Sequence, residues 1–211
     1  MEKIKVEHAI KKYKETTALD DVSLCFEAGT ITGLIGRNGS GKSVLLKSIC
    51  GLVALTSGKI YIDGTQVEKN QKLQKDMGVL IETPGFLDNF SAYKNLKYLA
   101  SIRSRMKKEE IYAVIRKVGL DPMSKKWVGK YSLGMRQRLG IAQAIMEQSD
   151  ILLLDEPMNG LDKHGVEDIR QLILELKEQG KTIILCSHNA QDIAVLCDKV
   201  YELDMGKIVE Q

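Results

Sequence analysis

Gly36-Arg37-Asn38-Gly39-Ser40-Gly41-Lys42-Ser43 decides how the rest of the chain is read. It fits G-x-x-x-x-G-K-[ST], a loop whose backbone N–H groups wrap the phosphates of a nucleotide. Strand-like apolar residues precede it (Ile31, Leu34, Ile35), and a helical run follows it (Val44, Leu45, Leu46, Ile49). That order is what the chemistry needs: a strand ends, glycines let the backbone turn toward an anion, and a helix N-terminus adds its dipole. In this reading Lys42 reaches the β- and γ-phosphates, and Ser43 places its hydroxyl on Mg²⁺.

Working outward, 211 residues suit one large domain, or a core with a subdomain. A hydrophobic fraction of 44% is enough for a substantial core. The net charge is only +3, with Lys and Arg spread along the chain, which argues against a nucleic-acid partner, for which a concentrated basic face is expected. Cys25, Cys50, Cys186 and Cys197 lack C-x-x-C spacing, so neither zinc nor a disulfide framework is expected, in keeping with a reducing cytoplasm. Cys25 and Cys186 read as small buried apolar side chains. The opening Met1–Val6 carries no signal-peptide pattern. The longest aliphatic run, Ile151–Leu154, is far short of the ~20 residues that span a bilayer. Any membrane role therefore calls for another protein to do the crossing.

In chain order, residues 4–8 and 22–26 alternate apolar and polar, as half-buried antiparallel strands do. Tyr13, set among Lys11, Lys12 and Lys14, can be a surface tyrosine or a platform for a base; the loop downstream favours stacking. Ser57–Gly64 and Met77–Ile81 read as strands, the second running into Glu82-Thr83-Pro84-Gly85. From about 84 to 146 the pattern is helical, with Leu96, Leu99, Ile102 and Met106 expected on one face, then Ile111, Val114, Ile115 and Val118 on another. Ser132 is placed to cap a helix containing Leu139, Ile141, Ala142 and Ile145. Ile151-Leu152-Leu153-Leu154 is a strand buried on both faces of a parallel sheet. Asp155 and Glu156 at its end suggest divided labour, Asp155 holding Mg²⁺ through water and Glu156 orienting or deprotonating the attacking water. Asn159–Asp162 turns into a helix with the stripe Val166, Ile169, Leu172, Ile173 and Leu176, stopped by Gly180. Thr182–Cys186 is the next buried strand and delivers Ser187-His188 to its carboxyl end, where open α/β sheets bind ligands. A final hairpin around Asp204-Met205-Gly206 leaves no room for a regulatory domain.

Together these segments resemble the nucleotide-binding subunit of an ATP-binding cassette (ABC) transporter over essentially the whole chain. Tyr13 matches the adenine-stacking aromatic and Gly36–Ser43 the phosphate loop. Tyr131-Ser132-Leu133-Gly134-Met135 matches the family signature, usually Leu-Ser-Gly-Gly-Gln. Ile151–Glu156 matches the magnesium strand with its catalytic glutamate, Asn159–Asp162 the loop that touches the partner cassette, and His188 the switch histidine. The resemblance implies an α/β P-loop NTPase (RecA-like) core and an antiparallel β subdomain, together about 1–83 and 147–211, with an inserted α-helical subdomain of about 84–146 in a single domain of residues 1–211. It implies ATP and Mg²⁺ as ligands, with Ser43, Glu82 and Asp155 around the metal. The implied partners are a transmembrane permease and a second ATP-binding subunit, identical or related, and the implied location is the inner face of the cell membrane. In the family two cassettes close head to tail, so Ser132, Leu133, Gly134 and Met135 would face the nucleotide held by the other subunit.

Two departures stand out: Glu82 replaces the usual Gln, and Leu133 and Met135 replace the usual Gly and Gln. Glu82 with Tyr-Ser-Leu-Gly-Met resembles the branch that exports bacitracin-like and lantibiotic peptides. Rivals are an ABC-type ATPase of chromosomes or repair, and a nucleotide-gated interaction module. The first needs a long coiled coil, yet only 88 residues (44–131) separate loop from signature, without sustained heptads. Retention of Glu156 and His188 speaks against the second.

Overall fold

A computed structural model describes residues 1–67, 77–103 and 106–210. Two sheets organise them. Strands β1 (Glu2–Tyr13), β2 (Thr16–Glu27), β4 (Ser57–Ile62) and β5 (Thr65–Gln66) form an antiparallel sheet in the order β2-β1-β4-β5. The larger sheet runs β10-β9-β3-β8-β7-β6, from β3 (Ile31–Ile35), β6 (Met77–Leu80), β7 (Ile151–Asp155), β8 (Thr182–Cys186), β9 (Lys199–Asp204) and β10 (Lys207–Glu210). All its pairings are parallel except the β9–β10 hairpin.

The aliphatic runs form strands here because both faces of the sheet are covered. Leu152 and Leu154 of β7, with Ile183 and Leu185 of β8, enter a core shared with the helices α2 (Ala92–Arg103), α3 (Lys108–Lys117), α4 (Leu133–Ile145) and α5 (Lys163–Glu178). Ile151, Leu153, Ile184 and Cys186 point the other way, into a core shared with α1 (Lys42–Ile49) and the antiparallel sheet. The period-two alternation of a strand thus divides one run of aliphatics between two cores.

Three expectations shift. β1 and β2 are each 12 residues long, well beyond 4–8 and 22–26. Bulges explain this: His8 (φ 48°) and Asp21 (φ 59°) slip the register, so burial goes Ile4, Val6, Ala9 and Leu19, Val22, Leu24 rather than strictly every second residue. In α2 the buried face is Ala92, Leu96 and Ala100, while Ile102 is exposed. Cys25 is half-buried rather than buried; all four cysteines are free. Among the described residues of 84–146 there is no strand.

Candidate functional site

Four neighbouring parallel strands present their carboxyl ends on one side of the sheet. Residues after three of them, β3, β6 and β7, line one cleft, to which His188 after β8 is joined through Glu156. After β3 comes the glycine loop, after β7 Asp155 and Glu156, after β8 Ser187 and His188, and after β6 Glu82. The cleft encloses about 490 Å³, and its walls include Gly39, Lys42, Ser43, Glu82, Asp155 and Glu156.

The loop's shape is set by what surrounds it. Gly36 has φ 139°, and a Cβ there would lie 2.1 Å from the Leu203 carbonyl oxygen, so only glycine fits this approach to β9. The loop is pinned through Ser40, whose carbonyl accepts from the Gly206 N–H at 3.0 Å. No side chain caps α1 at its start, Gly41. Ser40 Oγ is buried and has no hydrogen-bond partner among the described residues. Lys42, nearly buried, folds back so that Nζ donates to the carbonyls of Gly36 (2.6 Å) and Arg37 (3.1 Å). An uncapped helix start, an orphaned hydroxyl and an ammonium held on its own loop are the features of a cradle for a phosphate chain.

Ser43 Oγ donates to Asp155 Oδ2 at 2.7 Å. A hydroxyl and a carboxylate held together are oxygen donors of the kind Mg²⁺ takes, the carboxylate directly or through water. The pair fits that cation. Glu82 is placed differently: its φ is 59°, and its carboxylate accepts from Lys47 Nζ at 2.5 Å.

Glu156 adopts φ 49°, uncommon for a residue with a side chain. Its N–H donates to the Cys186 carbonyl at 3.0 Å, and its own carbonyl accepts from Gln137 Nε2 at 3.0 Å. Those bonds hold the backbone while the carboxylate meets His188 Nδ1 at 2.8 Å. Because a carboxylate accepts, Nδ1 carries the hydrogen in this pair and Nε2 is left for another partner. Burial, then the charge of Asp155, pushes the Cys186 thiol well above its ordinary range, so the floor beneath these acids is a neutral thiol. His188 itself follows a braced turn. Ser187 Oγ donates to Asp192 at 3.2 Å, and Asp192 receives Nε of buried Arg170 at 2.9 Å.

Ser132 caps α4 as its sequence suggests, accepting from the Met135 N–H at 3.2 Å. The exposed Leu133 lies on Gly160 (φ 73°), where a Cβ would come within 2.6 Å of Leu133 Cδ2. Leu133 and Asn159 both reach the cleft wall. Asp162 caps α5 through the Gly165 N–H at 2.8 Å. Tyr13 ends β1 with its ring half-exposed beneath Lys11 Nζ, and does not line the cleft. Sequence reasoning missed Gln137 and Lys47. Gln137 carries no signal of its own, whereas Lys47 sits four residues after Ser43 and so on the same face of α1.

The family model described as ABC transporter matches residues 19–159. The uncharacterized ABC transporter ATP-binding protein YybJ of Bacillus subtilis (strain 168) is 45% identical over 205 residues, 97% of this chain and 94% of that protein. The bacitracin transport ATP-binding protein BcrA of Enterococcus faecalis is 40% identical over 210 residues, 99% of this chain and 68% of that protein. The lantibiotic transport ATP-binding protein SrtF of Streptococcus pyogenes is 36% identical over 206 residues, 98% and 89% of the two chains. Among solved structures, the dimeric bacterial ABC transporter cassette MJ0796 superposes with a TM-score of 0.91 at 26% identity, covering 98% of this chain and 97% of that one. The same cassette in a dimeric post-hydrolysis state, bound to ADP and Pi, gives 0.90 at 25% identity, with coverage of 98% and 97%.

Proposed function

Because the chain belongs to the ABC transporter family, whose model spans residues 19–159, we propose that it is the ATP-hydrolysing subunit of a transporter that exports, or protects against, a bacitracin- or lantibiotic-like peptide. The observation that carries the ATPase part is the meeting of Ser43 with Asp155 and of Glu156 with His188 at the mouth of one glycine loop. The peptide part rests on likeness to BcrA and SrtF.

The residues divide the work. Lys42 leaves the Gly36 and Arg37 carbonyls for the β- and γ-phosphates, a charge-assisted exchange. The loop Gly36 to Ser43 would wrap the phosphates, with Asn38, Gly39 and Gly41 at the cleft wall and Ser40 Oγ gaining a partner. Ser43 and Asp155 would hold Mg²⁺, with Glu82 the third oxygen donor; the metal offsets phosphate charge. Glu156 takes the proton of a water that attacks the γ-phosphorus as the bond to ADP breaks. His188 Nε2 faces the γ-phosphate.

The same reading treats residues 1–211 as one ATPase domain, with about 84–146 presenting the signature. Ser132, Leu133, Gly134 and Met135 face ATP on a second cassette, Asn159 and Asp162 lie at that seam, and Tyr13 stacks on adenine. No helix among the described residues is long and apolar enough to cross a membrane. In this reading, which rests on likeness to transporter ATP-binding subunits, a separate permease supplies the crossing and holds this subunit on the inner face of the cell membrane.

Two measurements test this. Lys42→Ala should lose ATP affinity by tenfold or more, as about 1.4 kcal/mol of lost charge-assisted contact would give; near-native affinity would sink the loop assignment. Purification from native membrane should bring down a multi-span protein whose deletion, like that of this chain, sensitises cells to a bacitracin- or lantibiotic-type peptide. Unchanged sensitivity would remove the peptide from the proposal.

A further inference from the structure

The least ordinary residue of the cleft has a partner that no reading of its motifs supplies. Glu82 lies two residues beyond β6, and β6 pairs with β7 in the parallel register Leu80 to Leu154. The two strands end at Leu80 and Asp155, and residues that follow them, Glu82 and Glu156, line the same cleft. The mouth thus carries three carboxylates, Glu82, Asp155 and Glu156. Lys42 is engaged by the loop carbonyls. On α1, Ser43 and Lys47 are one turn apart and share a face. Ser43 meets Asp155 and Lys47 meets Glu82, so one helix face contacts both carboxylates assigned to the metal.

Building on the ATPase reading above, we propose that Lys47 is a positioning residue that holds the Glu82 carboxylate off the divalent-cation site, so that ammonium and metal compete for it. A glutamine at position 82 would need no counter-ion; a carboxylate among two others does. The pair is suited to exchange rather than permanence. Glu82 is 63% exposed and Lys47 27% exposed, a setting in which ion pairs are weak and easily displaced. A doubly charged cation drawn in by ATP can take the carboxylate, and Lys47 then turns to solvent. Removing Lys47 frees Glu82 for the metal from the outset, so less metal is needed to assemble the site.

The test titrates Mn²⁺ against the full chain with a non-hydrolysable ATP analogue, reading nucleotide binding by fluorescence and bound Mn²⁺ by electron paramagnetic resonance. Lys47→Met should lower the Mn²⁺ midpoint by about threefold, the order by which an exposed ion pair can compete with the metal for its carboxylate. Lys47→Arg should keep the wild-type midpoint. In a Glu82→Gln background, Lys47→Met should produce no further shift. Superimposable wild-type and Lys47→Met titrations would overturn the proposal, and so would an equal shift in both backgrounds, which would reflect charge alone. Failure of the wild type to bind nucleotide at any Mn²⁺ concentration would instead bring down the ATPase reading on which the proposal stands.

Discussion

Glu156 is held by its main chain in a conformation that few side-chain-bearing residues adopt, with φ 49° and both backbone polar groups bonded, to Cys186 and Gln137. Backbone held in this way at a strand end positions a carboxylate before substrate arrives. Glu156→Gln keeps the shape and removes the proton acceptor. Turnover should fall by at least 100-fold, the lower range for a lost general base, while ATP binding stays within about twofold, as no phosphate contact is lost. Single-turnover hydrolysis beside equilibrium ATP binding checks both, and unchanged turnover would take Glu156 out of its role. The gathering of Lys42, Ser43, Asp155 and Glu156 at one cleft is legible in the sequence because each residue type is dictated by the chemistry at its spacing. Lys47 is not, because a lysine on a helix is ordinary until the helix face is known to look onto a glutamate from another strand.

At the level of elements, α5 and α6 (Ala190–Leu196) steady the turn that carries His188. Arg170 and Asp192 form an ion pair whose side chains are 6% and 2% exposed, and Asp192 also receives Ser187 Oγ. Breaking such a pair on one side leaves a buried charge without a partner and costs about 3–5 kcal/mol. Arg170→Met should therefore lower unfolding free energy by about that amount in urea, with the slope m unchanged. A loss below about 1 kcal/mol would mean that water reaches Asp192. The sequence reads α5 from its stripe and its Asp162 cap, yet gives no notice of α6, which at seven residues is too short to show a period. The same limit acts in β1 and β2, where single-residue bulges at His8 and Asp21 reverse the phase of burial and cut two 12-residue strands to five-residue signals. In α2 and just after it the expected face is met at Leu96, Leu99 and Met106, which belong to or pack against the core, but not at exposed Ile102, because packing also selects the small residues Ala92 and Ala100.

For the whole molecule, the loop and the signature cannot both serve one nucleotide within a single chain if two cassettes close head to tail. Ser132 spends its side chain capping α4, and Leu133 beside it is exposed and braced on Gly160, next to the loop that opens α5. Ser132 and Leu133 are therefore open to a second chain, while Gly134 and Met135 are half-buried and Leu133 also lines this chain's own cleft. Two dead variants separate the possibilities. Lys42→Ala spoils the loop and keeps the signature, whereas Ser132→Arg spoils the signature and keeps the loop. If each site is built from one loop and the other chain's signature, a mixed dimer holds one intact site and one doubly damaged site. Random pairing makes half the dimers mixed, so an equimolar mixture should regain about a quarter of wild-type ATPase activity, while neither variant alone exceeds background. Differently tagged subunits recovered together with ATP would show that the mixed dimers had formed. Activity that stays at the sum of the two variants, with those dimers present, would place loop and signature in the service of separate ends. If no dimer forms with ATP, even for Glu156→Gln, this chain pairs with a related cassette, and the same complementation then applies across the two different chains.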